Sequence, residues 1–430
     1  MKKSIKRTIA AGLSVLTLLS LSACGRKTDS GSAKDSGSSA AMDNKPATGN
    51  LTIWAMGQEG EKLSQYVKGF EKENPDVKVK VTAIPWSSAH EKVQTAIAAG
   101  NGPDISQIMG EWMADFSTGL AQVPSNFDNS DFSSAALSTV KVGGKQVAVP
   151  WYSDTRVLYY RTDIAKQAGW DHAPQTWAEL KKMAADMQKV NGVQYGMFIM
   201  PKTDAAFSNV SPIYYSNGAR LTDGKKWTID NKKMKESFEY IKGFFTDKIA
   251  DPEADTTFGA DFANFVSGKT PMEFNVPSGI GQLNELGGPG FSDKFTTAPI
   301  PKKDKNSGLS VSSLSGSALA TMKSSKNQTA AWKFIKWASK AKNQVKWYEL
   351  STDLPSAQSA WKDPKLANDK KLAPFGEQLK TGVPNPTVTE WEQISITGSE
   401  DVEKIYKNTM SVDDALKDMQ SKADSIGMGK

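Results

Sequence analysis

The chain has 430 residues, 38% hydrophobic and 23% charged, with a formal net charge of +6. That length exceeds what one hydrophobic core usually supports, so two domains are expected. Four of the positive charges are Lys2, Lys3, Lys6 and Arg7, and the body beyond them lies near neutrality, which gives no electrostatic case for nucleic acid.

The chain opens with a basic "MKKSIKR" and an apolar "TIAAGLSVLTLLSLSA", which reads as an export signal too short for an ordinary membrane span. A plain secretory signal would be cut after Ala23. The run closes in "LSAC", Leu21 to Cys24, followed by Gly25. This resembles the lipobox of bacterial lipoproteins, and the resemblance implies that Cys24 carries a lipid and begins the mature protein. Cys24 is the only cysteine, so an internal disulfide is excluded. Residues 25–50 are rich in Gly, Ser, Ala and Asp and are expected to form, with Cys24, a flexible tether. The expected place is the extracytoplasmic face of the cell membrane, held by the lipid.

"LTIWAM" (51–56) alternates as a buried strand. "EGEKLSQYVKGFEKENP" sets Leu63, Val67 and Phe70 on one helical face and stops at Asn74-Pro75. "VKVKVTAI" (77–84) is a second strand. "SSAHEKVQTAIAAG" is a second helix, with Ser87 or Ser88 as N-cap and Gly100 as its stop. "PDISQIM" (103–109) is a third strand. This alternation predicts a parallel sheet with right-handed crossovers, and ligands of such sheets sit beyond the carboxyl ends of the strands. The loops there are "GQEG" (57–60), "PWSS" (85–88) and "GEW" (110–112). "KQVAVPWYSDTRVLYYRTDIAKQAG" then gives two short strands and a helix. Further helices are expected at 176–190, 231–247, 258–267, 327–348 and 401–424.

In this order, "LTIWAMGQEGEKLSQYVKGFEKENPDVKVKV", "KVQTAIAAGNGPDI", "VPWYSDTRVLYYRTDIAKQAG" and "KNQTAAWKFIKWAS" resemble the extracellular solute-binding proteins of ABC importers. The subgroup is the one that takes maltose, maltodextrins and other oligosaccharides. The resemblance runs from about residue 50 to 425. It implies an α/β, two-lobe periplasmic-binding-protein-like fold with a ligand cleft between lobes joined by a multi-strand hinge. Lobe one would take 51–149 plus 299–350, and lobe two 150–298 plus 351–430. The implied partners are an oligosaccharide and the ABC permease subunits. The implied state is a monomer without cofactor, metal or enzymatic activity. Where many relatives follow "NVPSG" with a tryptophan, Ile280 stands here, so that platform is not supplied at this position.

A sugar site needs flat aromatics against ring faces and planar polar groups for paired hydrogen bonds. Trp86 follows a strand directly and would stack on a ring or pack on its own helix. Glu111 could bridge adjacent hydroxyls, with Trp112 as platform or helix-packing residue. Glu59 is a ligand contact or a helix-start carboxylate favoured by the dipole. Alternation sends Tyr152, Asp154 and Arg156 to one face of their strand, an odd set for a buried face unless it binds something or forms a structural salt bridge. Trp151 is expected to line the cleft from the hinge. By contrast, Val157, Leu158, Tyr159 and Tyr160 read as core. Further candidates are Tyr214 or Tyr215, Asn275 and Ser278 on the segment that crosses the cleft, Ser315 and Gly316 in a turn near the ligand, and Trp391 in a late loop. Trp177, Trp332, Trp337 and Trp347 read as packing residues.

An enzyme is the competing class. A glycosidase needs two carboxylates at a set separation, which the sequence does not exclude. No H-E-x-x-H, G-x-S-x-G or phosphate loop is present, and His90 and His172 are the only histidines. A polyamine site would want several acids among its aromatics, and a phosphate site clustered cations. The mixed acid, Arg, Trp and Tyr set fits a neutral polyol best.

Overall fold

In a computed structural model describing residues 42, 43, 45–203, 205–257 and 259–428, the alternating first segment becomes β1 (Gly49–Met56), α1 (Gly57–Glu73), β2 (Val77–Ile84), α2 (Trp86–Ala99) and β3 (Ile105–Met109). The signal segment and Cys24 lie outside the described residues. Met42 and Ala47 already rest on the body: Met42 and Asn126 exchange two hydrogen bonds of 2.9 Å, and Ala47 is buried. The expected tether to residue 50 is therefore docked at its far end.

Two strands follow, β4 (Val149–Thr155) and β5 (Val157–Arg161), then α3 (Trp177–Met187), α4 (Lys232–Thr246), α5 (Ala260–Ser267), β6 (Met272–Asn275), α6 (Ser278–Gly287), β7 (Phe295–Ala298) and β8 (Ser313–Thr321). The chain closes with α7 (Gln328–Ala338), α8 (Ala341–Ser351), β9 (Leu354–Pro355), β10 (Val383–Pro384), α9 (Trp391–Tyr406) and α10 (Val412–Ile426), among shorter turns.

The larger sheet runs β9-β4-β8-β3-β1-β2, with β10 on β8. β1 is parallel to both β2 and β3, as the strand–helix alternation requires. Both faces of this sheet are covered. Leu51 and Ile53 join Leu63, Val67 and Phe70 of α1 and the tryptophans of α7 and α8 in one core, whereas Met56, Ile84 and Ile108 face Val93 of α2 in another. The smaller sheet is antiparallel, β6-β5-β7. Its Leu158 and Tyr160 pack with Met272, Phe274 and the apolar faces of α3, α4, α9 and α10. Val157, Leu158, Tyr159 and Tyr160 are all buried.

The sheets exchange chain at one place. β4 belongs to the larger sheet and β5 to the smaller, with Arg156 between them. Its amide donates to Ser312 Oγ at 3.3 Å, Thr155 Oγ1 donates to Ser313 O at 2.7 Å, and Val383 N reaches Ser312 O at 2.9 Å. Three passing segments are thus tied side by side. The β4–β8 register slips between Ser317 and Ala318: Tyr152 faces Ser317, Pro150 faces Ala318, and Trp151 is the extra residue of a bulge.

Two helical expectations need correcting. The single helix expected at 327–348 is broken at Lys340, which is extended (φ −65, ψ 135) and starts α8. The helix expected at 401–424 is two, α9 and α10, with Asn408 at φ 55 between them and Ser411 capping Asp414 N. Neither break carries a Gly or Pro. The second helix also starts earlier than expected, with Pro85 rather than a serine as its cap, while Gly100 ends it at φ 60.

Candidate functional site

One wall rises from the carboxyl ends of β1, β2 and β3. Gly57 begins α1 at φ 49, and a Cβ there would lie 2.6 Å from the Trp86 indole and 3.5 Å from Glu59 Oε2. Only glycine lets the Trp86 ring settle on this turn beside Glu59. Trp86, 37% exposed, meets Trp112 edge-on at 6.0 Å. Trp112 is held in turn by His90 at 5.3 Å and Phe116 at 6.2 Å. His90 Nε2 is fixed on Asp115 Oδ2 at 2.9 Å.

The floor is the face of β4 that carries Tyr152 and Asp154. Tyr152 OH donates to Glu59 Oε1 at 3.2 Å and accepts from Gln107 Nε2 at 3.2 Å and Ser317 Oγ at 3.1 Å. Ser315, opposite Asp154, donates its hydroxyl to Glu111 Oε1 at 3.0 Å. Asn385 Nδ2 reaches the same oxygen at 3.3 Å, and Tyr215 OH donates to Asn385 Oδ1 at 3.3 Å. Glu111 Oε2 is shielded from solvent and has no hydrogen-bond partner.

Burial dominates the electrostatics. It pushes the Asp154 carboxyl up to about 7, opposed by Arg156 and reinforced by Glu59 and Glu111. Burial likewise raises Glu59, Glu111 and Asp261, and lifts Asp353 well above the carboxylate range with help from Glu59 and Asp154. The Arg156 guanidinium is lowered by its own burial. It feels Asp154 and Asp261 only through space, and among the described residues no carboxylate forms an ion pair with it. Arg156 itself is half-buried, so its guanidinium keeps contact with solvent beside these carboxyls.

Glu59, Trp86, Glu111, Trp112, Tyr152, Asp154, Arg156 and Ser315 therefore come together. The other candidates do not. Trp151 is 1% exposed and lies on Trp347 at 4.4 Å, because the bulge turns it into the core of the larger sheet. Trp391 starts α9 rather than standing in a loop, and packs by Phe207 at 6.4 Å in the core of the smaller sheet. Tyr214 is fully buried there too, and its neighbour Tyr215 is the tyrosine that reaches Asn385. Asn275 spends its side chain on Glu273 Oε1 at 2.9 Å and Val276 N at 2.8 Å. Ser278 is half-buried at the start of α6. Gly316, at φ 136, is required by its own neighbour strand: a Cβ would lie 2.3 Å from Tyr152 O.

Gln107, Asp261, Asp353 and Asn385 were not foreseen. Gln107 hides inside a run that reads as a buried strand, Asp353 lies two residues before Pro355, and Asn385 stands between Pro384 and Pro386, in segments without periodicity. Gln107 reaches the floor through the register of β3 on β8, whereas Asp261 stands on α5 and Asp353 and Asn385 flank β9 and β10.

The description of bacterial extracellular solute-binding proteins matches residues 55–345. A galactooligosaccharide-binding protein of Bacillus subtilis is 24% identical over 91% of this chain and 90% of its own length. A maltotriose-binding protein of Pyrococcus abyssi is 25% identical over 77% of this chain and 72% of its own. The sugar-binding protein MalE of Xanthomonas citri superposes with a TM-score of 0.80 at 30% identity, covering 88% of this chain and 97% of that one. It shares the two-lobe α/β architecture described above. With the matched region spanning more than half of its length, the chain belongs to the bacterial extracellular solute-binding protein family.

Proposed function

We propose that this chain is the substrate-binding component of an ABC importer, that it captures an oligosaccharide in the cleft bounded by Trp86, Trp112 and the β4 floor, and that Cys24 anchors it by lipid to the outer face of the cell membrane. The observation that carries the ligand class is the group of carboxyls around the half-buried Arg156 that burial holds toward their neutral forms, with Glu111 Oε2 shielded from solvent and without a hydrogen-bond partner. A sugar hydroxyl both donates and accepts, so a polyol satisfies such a mixture, and two indoles offer faces for its rings. A polyamine is disfavoured by the arginine among the acids. A phosphate is disfavoured by the acids around the single arginine.

The lobes of this reading meet at Arg156 and Ser312. The boundary expected between residues 149 and 150 moves in this reading to Arg156: lobe one takes the larger sheet, to which all of Val149–Thr155 belongs, and lobe two the smaller one. A ligand touching both lobes favours the closed arrangement by its differential affinity. The closed monomer then docks on the permease pair, and no chemistry is done on the sugar. Trp86→Ala and Asp154→Ala are each expected to weaken oligosaccharide binding by ~1–3 kcal/mol without lowering the unfolding temperature. Unchanged affinity in both variants would remove the ligand from this cleft.

A further inference from the structure

β9 pairs with β4 so that Leu354 faces Ser153 and Pro355 faces Tyr152. Asp353 immediately precedes this pairing and feels the field of Asp154, and Ser315 of β8 stands opposite Asp154. Two neighbouring carboxyls disfavour each other's ionisation. Burial and the fields of Glu59 and Asp154 both raise the Asp353 carboxyl. The backbone that delivers it is also unfavourable. Thr352, a β-branched residue, ends α8 in the left-handed region at φ 69 and ψ 4. Within the protein, Asp353 gains an indole donor, Trp347 Nε1 to Oδ2 at 3.0 Å, and the amide of Asp353 bonds Ser351 Oγ at 3.0 Å. These bonds orient the carboxyl, but a neutral acceptor would serve Trp347 as well without opposing Asp154.

One group beside this row lacks a protein partner. Glu111 Oε2 is solvent-shielded and unbonded, on the residue that Ser315 holds. The half-buried Arg156 guanidinium interacts with Asp154 only through space. The row Ser315–Asp154–Asp353 is therefore complete only with a polar molecule laid across it. We propose that Asp353 is a specificity-determining contact of the cleft, acting with Asp154 as a carboxyl pair that takes two hydroxyls of the bound saccharide. The proposal rests on the saccharide reading given above.

Calorimetric titration of the full protein with maltotriose and with galactotriose, in wild type, Asp353→Ala and Asp353→Asn, tests it alongside ligand-free unfolding temperatures. For the sugar that saturates the wild type, Asp353→Ala should lose about tenfold in affinity or more and Asp353→Asn less. The ligand-free unfolding temperature should hold or rise, because the neighbouring acids are relieved. Unchanged affinity in both variants, with a lowered unfolding temperature in Asp353→Ala, would make Asp353 a structural acceptor for Trp347 and overturn the proposal while leaving the saccharide reading intact. If Asp353→Ala does not fold, Asp353→Asn decides by the same criterion. Saturation of the wild type by neither sugar would overturn the saccharide reading, and the proposal with it.

Discussion

Glu273 sits at the centre of β6, 1% exposed, with Asn275 Nδ2 on its Oε1. Burial, then the field of Asp261, raises its carboxyl from 4.5 to about 8, as burial raises Asp154 to about 7. Both groups therefore hold a proton in the folded protein that the unfolded chain releases at lower pH. Stability is fully present below the unfolded values and is lost as pH rises through the folded ones. The unfolding free energy should fall between about pH 5 and about pH 8.5, and Glu273→Gln, which keeps an acceptor for Asn275, should flatten that fall. Urea unfolding at several pH values measures it, and an equal slope in the variant would mean that Glu273 is ionised in the fold. At this scale the sequence exposed the residues whose chemistry is unusual for their place. Asp154 and Arg156 drew notice as an acid and a guanidinium expected on one strand face, but the strand ends at Thr155 and Arg156 lies between β4 and β5. Trp151 and Trp391 misled because aromatic character alone does not separate a binding platform from a packing residue.

β8 shows what local patterns miss. It passes β4 so closely at Gly316 that a Cβ would lie 2.3 Å from Tyr152 O, and one residue further the register slips. Gly316→Ala should therefore cost about 2 kcal/mol or more in denaturant unfolding. An unchanged midpoint would mean that the two strands do not cross this tightly. The first three strands and their helices were legible because period and stops agreed, though not the serine cap of α2: β2 spans the expected residues 77–84 and Gly100 ends α2, and further along Thr176 caps Glu179 N ahead of α3. The bulge at Trp151 and the break at Lys340 were not. A bulge is a property of two paired strands, and Lys340 differs from a helical lysine only in the tertiary packing on either side of it.

For the molecule as a whole, the expected two-lobe α/β architecture is what the sheets show, and the order of motifs along the chain made it readable. The grouping of Ser315, Asp154 and Asp353 was not readable, because Asp154 and Asp353 lie 199 positions apart and come near each other only because Leu354, next to Asp353, pairs with β4. The same organisation ties the site to the hinge, since Asp154 and Arg156 lie in the segment where the chain passes from one sheet to the other. A ligand held there is in a position to set the angle between lobes. The most direct test of oligosaccharide capture is calorimetric titration of the purified protein with maltotriose and galactotriose, with the sugar recovered afterwards and its chain length determined. Saturable heat with one sugar class, and full recovery of intact sugar, is the predicted result. Sugar recovered as shorter products, or no saturation by any oligosaccharide, would contradict it.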